Sequence, residues 1–207
     1  KKGFRLQTEL VKIDREQMSR HIMKRAGEIL QNGGLVAFPT ETVYGLGADA
    51  LNEEAAQKIY AAKGRPSDNP LIVHIADMEA LGRIAESIPK EAKALAEAFW
   101  PGPLTMIFRK KECVPSGTTG GLSTVAVRMP SDEIARELIR QGGGYIAAPS
   151  ANVSGRPSPT TAQHVYEDMK GRIPMILDGG PVRIGLESTI VDLTEEHTVI
   201  LRPGYIT

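Results

Sequence analysis

A chain of 207 residues can bury an extensive core in one large domain or two small ones. Hydrophobic residues make up 41% of it and charged residues 24%, which is ordinary for a globular protein. The 25 Lys and Arg residues balance the 25 Asp and Glu residues. This balance excludes the strong overall basic field that tight nonspecific nucleic-acid binding uses, although it leaves room for a local basic patch.

Cysteine and histidine usage argues against disulfide and metal chemistry. Cys113 is the single cysteine, which excludes a disulfide framework and a thiolate cluster. The four histidines are too far apart for a helical zinc-binding pair, and we predict no metal ligands from the protein itself. The N-terminal residues lack a signal-peptide pattern, and the apolar runs fall short of the roughly 18 residues of a membrane span. We therefore expect a reduced, cytoplasmic protein without membrane contact.

Helical and strand-like segments alternate along the chain. The first helix is predicted over Arg15–Gln31 with Asp14 as its N-cap, and a buried strand follows at Leu35–Phe38. Further strands are predicted at Leu71–Ile75, Leu104–Phe108, Thr124–Arg128, Tyr145–Ala148, Met175–Leu177, Ser188–Val191 and Val199–Leu201. Further helices are predicted at Glu53–Ala62, Met78–Glu86, Lys90–Phe99, Asp132–Arg140 and Thr161–Met169. Because some neighbouring strands lack an intervening helix, we predict an α/β fold with a mixed sheet, in one domain spanning residues 1–207.

The segment Pro39–Ala50 is predicted to be a ligand-binding loop that ends in a tight glycine turn. Gly45 and Gly47 match a GxGxxA pattern, but six residues separate Phe38 from Gly45, so we reject a dinucleotide site. The run Thr40–Thr42 places three hydrogen-bonding side chains just past a buried strand, where open α/β sheets bind ligands.

Cationic side chains mark two further regions. Lys63 and Arg65 flank a glycine at a predicted helix end, where they either complement the helix C-terminus or clamp a phosphate. Arg128 and Arg202 end apolar strands, and each needs an anionic partner, either Glu187 or Asp192 or a bound anion. His74 lies in an apolar strand and is either a core residue or a ligand-binding one.

The loop Pro149–Thr160 is rich in hydroxyls and glycine, which suits either a long polar turn or an anion site at the start of the next helix. It does not match the P-loop pattern, and no GxSxG nucleophile elbow occurs in the chain.

Seven motifs in order resemble the YrdC-like threonylcarbamoyl-AMP synthase family. They are PTETVYGLG, KGRP-x-x-NPL-x-VH, WPGPLT, VRMP, PSAN-x-SG-x-PSPT, ESTIVD and LRPG. The resemblance implies a twisted YrdC-like (DHBP synthase-like) sheet with a concave, locally positive face. It also implies a nucleotidyltransferase that combines ATP, L-threonine and bicarbonate into threonylcarbamoyl-AMP and pyrophosphate.

The resemblance also implies a set of site residues. An L-threonine pocket is expected from Thr42, His74, Arg128, Ala148 and Ser188. An ATP site is expected from Lys63, Arg65, Asn69, Thr124, Ser150, Asn152, Ser158 and Arg202, with Lys63 and Arg65 as catalytic cations on the phosphates. Mg²⁺ is expected to enter with ATP. Because a displacement at phosphorus needs alignment and charge neutralisation, no covalent enzyme intermediate is predicted.

Downstream tRNA threonylcarbamoyl-transfer proteins are the expected partners, and a weak direct tRNA contact stays open. Two alternatives also stay open: a carbamoyl-adenylating domain of hydrogenase maturation and an RNA-binding module. Longer relatives continue past an LRPG-like segment into a linker and a second domain, so we expect the same of a longer form of this chain.

Overall fold

The computed structural model describes residues 5–207, which form ten strands and seven helices. The strands are β1 (Glu9–Lys12), β2 (Val36–Pro39), β3 (Tyr44–Asp49), β4 (Ile72–His74), β5 (Leu104–Arg109), β6 (Thr124–Arg128), β7 (Ile146–Ala147), β8 (Met175–Asp178), β9 (Thr189–Asp192) and β10 (Val199–Arg202). The helices are α1 (Arg20–Gln31), α2 (Glu53–Lys63), α3 (Met78–Ile84), α4 (Lys90–Phe99), α5 (Ser116–Thr119), α6 (Glu133–Gln141) and α7 (Ala162–Met169). None of the helices within residues 5–207 combines the length and apolarity that a membrane crossing requires.

The strands form one sheet in the order β1-β8-β2-β3-β7-β4-β6-β5-β9-β10. The pairs β1/β8, β2/β8, β4/β6 and β5/β9 are parallel. The pairs β2/β3, β3/β7, β7/β4, β6/β5 and β9/β10 are antiparallel. The prediction of a mixed sheet flanked by helices is therefore confirmed.

Alternate residues of the strands belong to two hydrophobic cores on opposite faces of the sheet. Val36 and Phe38 of β2 pack with α1 and α6, whereas Ala37 joins the larger core with α2, α3, α4 and α7. In the same way Ile146 faces α1 and α6 while Ala147 faces the larger core. This period-two alternation is what a sheet covered on both faces requires.

Several local predictions were wrong. The first helix begins at Arg20, because Ser19 is the N-cap and its Oγ accepts the N–H of Ile22 at 3.3 Å. Asp14 instead accepts the N–H of Glu16 at 2.9 Å in a separate turn. The predictions also left out β1 and α5.

The segment predicted as a glycine turn is strand β3. Its glycines are required by packing: a Cβ on Gly47 would lie 2.9 Å from the Phe38 ring, and one on Gly45 would lie 3.3 Å from it. The GxGxxA pattern therefore reflects the close approach of Phe38 to the strand, not phosphate binding or a turn.

Candidate active site

Sheet register brings the strand-end side chains into one row. Helices α1 and α6 pack on the half of one face formed by β8, β2 and β7, and the β4–β10 half of that face forms the floor of a cleft. Along this floor His74 pairs with Arg128, Arg128 with Thr105, Thr105 with Ile190 and Ile190 with Arg202. Laterally paired residues project to the same face, and neighbouring strands lie about 4.8 Å apart. The row therefore presents an imidazole and two guanidinium groups on one surface.

The cleft over this row has a volume of about 410 Å³, a size typical of small-molecule sites. Its apolar floor is formed by Ile72, Ile107, Ala126, Ile190 and Leu201. Polar and charged side chains surround this floor, so the cleft can hold a ligand with both an apolar part and an anionic part.

The turn between β2 and β3 forms one wall of the cleft and is fixed by hydroxyl groups. Oγ1 of Thr40 accepts the backbone N–H of Val43 at 3.2 Å and donates to the Val43 carbonyl at 2.6 Å. The hydroxyls of Thr40 and Thr42 lie 2.9 Å apart, and Arg128 donates to Thr42 Oγ1 at 2.9 Å. These contacts form one hydrogen-bond chain: Arg128 donates to Thr42, Thr42 donates to Thr40, and Thr40 donates to the Val43 carbonyl. The chain holds this wall of the cleft in place.

Arg128 is the most buried cation of the cleft, with 4% of its surface exposed. Its Nη2 donates to the carboxylate of Glu41, and its Nε lies 3.4 Å from the carbonyl of Gly102. Burial lowers the pKa of Arg128, and the nearby Glu41 carboxylate counteracts this effect. A guanidinium stays charged in proteins, so Arg128 remains a cation at the end of the cleft.

His74 lies beside Arg128 and is held as a neutral imidazole. Burial, together with the charge of Arg128, lowers the pKa of His74 to about 3. Its Nδ1 lies 3.1 Å from the carbonyl of Ile72, and its ring meets the edge of Phe38 at a centroid distance of 6.1 Å. It is thus a satisfied, buried residue that also lines the cleft, so the two interpretations of His74 are compatible.

Lys63 lies behind the cleft wall. Its Nζ donates to the carbonyl of Ser150 and lies 3.4 Å from Oδ1 of Asn152, while its own carbonyl accepts the N–H of Ser154 at 3.0 Å. Burial, and then the charge of Arg65, lower the pKa of Lys63 to about 8. In this structure Lys63 connects α2 to the Ser150–Ser154 loop.

Arg65 follows the left-handed cap Gly64 and lines the cleft. Its Nη2 donates to the carbonyl of Asn69 at 3.2 Å, and the guanidinium carbon lies 5.9 Å from the centroid of the Tyr60 ring. Its buried Nε has no hydrogen-bond partner among residues 5–207. Burial lowers the pKa of Arg65, so an anionic ligand at this end would meet a guanidinium that is desolvated and in need of a partner.

Glu187 links two side chains in the opposite wall of the cleft. Its Oε1 accepts from Ser158 Oγ at 2.7 Å, and its Oε2 accepts from Arg202 Nη1 at 2.5 Å. Arg202 also donates to the carbonyl of Ser188 at 2.9 Å, and Ser188 Oγ lies 2.8 Å from Thr105 Oγ1. Glu187 is therefore the anionic partner of Arg202, one of the two partners considered for it from sequence.

Nine of the thirteen predicted site residues line this one cleft. They are Thr42, Arg65, Asn69, His74, Arg128, Ala148, Ser150, Ser188 and Arg202. Lys63 and Asn152 are buried behind the Ser150 loop, and the Ser158 hydroxyl is engaged by Glu187. Thr124 lies on the cleft face two positions before Ala126, beyond the lining residues.

Sequence reasoning named two carboxylates, Glu41 within the Thr40–Thr42 run and Glu187 as an ion-pair partner, but did not identify their positions in the site. The buried partner of Arg128 is Glu41, and neither Glu187 nor Asp192 contacts Arg128. Glu187, which the sequence predicts only as an ion-pair partner, also lines the cleft. No pattern in the sequence shows that residues 41 and 128 meet, because their contact depends on the pairing of β3 with β7, of β7 with β4 and of β4 with β6.

The cleft is electropositive. Its described lining carries the guanidinium groups of Arg65, Arg128 and Arg202 against the carboxylate of Glu187, and the Glu41 carboxylate pairs with Arg128 from behind the lining. Such a concentration of guanidinium groups around an apolar floor binds ligands that carry carboxylate or phosphate groups. Fold and site together define an α/β protein with a cleft for an anionic small molecule at the strand ends.

The chain belongs to the Sua5/YciO/YrdC family. The model of that family, described by the phrase "telomere recombination", matches residues 28–204. This range contains the cleft residues and all strands except β1.

Three relatives illustrate the similarity. Threonylcarbamoyl-AMP synthase of Pyrococcus abyssi is 58% identical over 190 residues, which is 92% of this chain and 56% of the relative. The enzyme of the same name from Bacillus subtilis is 55% identical over 184 residues, or 88% of this chain and 53% of the relative. The crystal structure of P. abyssi Sua5 complexed with L-threonine is 57% identical, with a TM-score of 0.92 over 95% of this chain and 57% of that one. The chain thus spans little more than half the length of these relatives.

Proposed function

We propose that this chain is the catalytic domain of an L-threonylcarbamoyladenylate synthase. The reaction joins L-threonine, bicarbonate and ATP into threonylcarbamoyl-AMP, with release of pyrophosphate. The observation that carries this proposal is the buried guanidinium of Arg128 in a cleft whose relative, 57% identical, was crystallised with L-threonine.

The two ends of the cleft suit the two larger substrates. At one end Arg128 and the Thr42 hydroxyl form a compact polar site for the carboxylate and hydroxyl of an amino acid, and the Ser188 hydroxyl, which contacts both Thr105 and Arg202, borders this site. At the other end Arg65, with its unpartnered Nε, and Arg202 suit the phosphates of ATP. An adenylate placed between them would lie over the apolar floor.

The chemistry needs positioning more than a protein nucleophile. The threonine nitrogen bonds to the carbon of bicarbonate, and water leaves to give a carbamate. A carbamate oxygen then bonds to the α-phosphorus as the bond from that phosphorus to the bridging oxygen breaks, and pyrophosphate takes the electron pair. The arginines stabilise charge on the carboxylate and phosphate oxygens, and the closed walls limit the freedom of both substrates.

Lys63 supports this site from behind. Its cationic Nζ, bonded to the Ser150 carbonyl, keeps the Ser150 loop against the cleft. We propose that Arg65 contacts the phosphates directly and that Lys63 acts on them through this loop. We also propose that Asn152, Ser158 and Thr124 contribute at the margin of the nucleotide site.

We further propose that Mg²⁺ enters with ATP. Glu187 is the one carboxylate in the described lining, and within residues 5–207 no three His, Cys, Asp or Glu side chains are placed to hold a metal. This sparse donor set fits an ion held mainly by the phosphates, where it would supply charge neutralisation. The acyl-adenylate would then pass to tRNA threonylcarbamoyl-transfer proteins in the cytoplasm.

Pyrophosphate release tests the proposal. The purified protein is incubated with ATP, Mg²⁺, L-threonine and bicarbonate, and each component is omitted in turn. We expect release that requires both threonine and bicarbonate and falls at least about 100-fold in Arg128→Ala, since a buried charge-assisted contact is lost. Release with carbamoyl phosphate instead would transfer the assignment to carbamoyl adenylation, and salt-sensitive tRNA binding without any release would favour an RNA-binding role.

A further inference from the structure

Glu41 is a buried acid that connects two walls of the cleft. Only 7% of its surface is exposed, which is unusual for a glutamate unless it is paired. One carboxylate oxygen accepts from Arg128 Nη2, and the other accepts from the backbone N–H of Ser131 at 2.8 Å and from its Oγ at 2.7 Å. The carboxylate thus joins the β2–β3 turn to the end of β6 and to the segment that leads into α6.

We propose that Glu41 is the positioning residue for Arg128 and thereby sets the affinity and selectivity of the amino-acid end of the cleft. The inference rests on the proposed function, because it assigns Arg128 to the carboxylate of L-threonine. Glu41 need not touch the substrate, since it acts through the guanidinium that it holds.

The hydrogen-bond inventory of Arg128 supports this role. A guanidinium has five N–H groups. Three of these are directed to the Gly102 carbonyl, the Thr42 hydroxyl and Glu41, which leaves two for a ligand. Because three contacts fix the orientation in advance, a substrate carboxylate need not immobilise a free arginine side chain on binding.

A carboxylate at position 41 can accept hydrogen bonds from both of the donors that face it. Arg128 donates on one side of Glu41, and the Ser131 N–H donates on the other. A glutamine here would turn its NH₂ group toward one of these donors, so either the arginine or the Ser131 contact would be lost. Geometry therefore predicts weaker threonine binding in Glu41→Gln, although removal of a competing negative charge alone would predict tighter binding.

Charge adds a selectivity argument. The pair of Glu41 and Arg128 has no net charge, whereas Arg65 at the other end has no carboxylate within salt-bridge distance among residues 5–207. A zwitterionic amino acid is thus accepted beside Arg128, and the polyanionic triphosphate is directed to Arg65. Loss of the Glu41 charge should let free phosphate compete at the amino-acid end.

Steady-state pyrophosphate release, with threonine and ATP varied separately, tests the inference. In Glu41→Gln we expect the KM for L-threonine to rise about 30-fold, the equivalent of about 2 kcal/mol, while the KM for ATP stays within about twofold. Inhibition by inorganic phosphate should become competitive with threonine. Glu41→Asp should recover part of the affinity, and Glu79→Gln, an exposed Glu-to-Gln control paired only with Arg83, should leave all parameters unchanged.

Ser131→Ala keeps the experiment decisive if Glu41→Gln does not fold. It removes one hydroxyl contact to Glu41, so the threonine KM should rise about threefold, as expected for one lost hydrogen bond. A threonine KM that is unchanged or lower in both variants would overturn the inference. Equal losses for both substrates together with a lower Tm would also overturn it, by showing a purely structural role. Wild-type protein that neither binds L-threonine in calorimetry nor releases pyrophosphate would instead remove the proposed function, and the role of Glu41 with it.

Discussion

Among the cleft residues, burial affects neighbouring side chains differently according to the partners each one finds. Arg128 is 4% exposed and keeps its charge beside Glu41, whereas the equally buried His74 meets a carbonyl and a neighbouring cation. A charge removed from water persists only where an opposite charge or strong acceptors replace the solvent. The row therefore presents a cation next to a neutral imidazole, which suits a carboxylate flanked by less polar groups.

The neutral state of His74 predicts a specific acid sensitivity. Burial and Arg128 lower the pKa of His74 from 6.5 to about 3. Between these values the unfolded chain binds a proton that the folded one does not, so the free energy of unfolding falls as the pH falls through this window. In His74→Asn, the acid-induced loss between pH 6.5 and pH 3.5 should be smaller by an amount on the order of 3 kcal/mol.

Urea titrations at a series of pH values measure this difference. His164→Asn is the matched control for the substitution itself, because His164 is exposed on α7, outside both cores. Acid profiles that coincide for the wild type and His74→Asn would show that His74 has the same pKa in the folded and the unfolded chain, so that burial does not hold it neutral.

Residue types could be predicted from sequence, but their partners could not. Strand-end positions placed Arg128, Arg202 and His74 in the right region, and the register then put them in one row. The direction of Lys63 toward the Ser150 carbonyl depends on how a loop 87 residues away folds back. A side chain at the end of a helix can point into the cleft or behind it, and the sequence does not distinguish these two directions.

Among the elements, strand β3 shows where propensity misleads. Its two glycines favour a turn in isolation, because glycine weakens strands. The structure needs them because Phe38 lies against Gly47, a contact between neighbouring strands that local sequence does not reveal. Strands without such a feature, such as β5 and β6, were predicted within one residue of their observed bounds because their apolar pattern agrees with their tertiary role.

The C-terminus of α2 provides a prediction about backbone conformation. Gly64 caps this helix at φ +66, between Lys63 and Arg65, and a Cβ there would meet nothing within 4 Å. Gly64→Ala should therefore destabilise the fold by about 1 kcal/mol through left-handed strain alone. Gly82 is the matched control: it is exposed within α3, has equally open space and has no positive φ.

Gly82→Ala should stabilise the protein by up to about 1 kcal/mol, because alanine favours the helix and restricts the unfolded chain. Thermal unfolding of both variants distinguishes the two signs. If Gly64→Ala were as stable as Gly82→Ala, the α2 C-terminus would have to adopt another conformation, and the positions of Lys63 and Arg65 would need revision.

Across the whole molecule, the two cores share a single sheet. Phe38 and Ile146 belong to the core under α1 and α6, and the neighbouring residues Ala37 and Ala147 belong to the core under α2, α3, α4 and α7. A strand that loses its packing on one face therefore loses its register for the other face as well. The cleft row depends on that register, so the stability of both cores supports the site.

This coupling predicts one cooperative unfolding transition for the described chain. The single tryptophan, Trp100, lies in the larger core with its Nε1 bonded to the Leu104 carbonyl at 2.7 Å, and it reports on that core alone. Leu30→Ala in the other core should lower the Trp100 fluorescence midpoint as much as the circular dichroism midpoint, with a loss of about 2–5 kcal/mol in the free energy of unfolding. Leu122→Ala, at a side chain that is 50% exposed, should leave both midpoints nearly unchanged. Separate transitions in Leu30→Ala, with Trp100 unfolding at the wild-type denaturant concentration, would mean that the two cores fold independently and that the sheet does not couple α1 and α6 to the cleft.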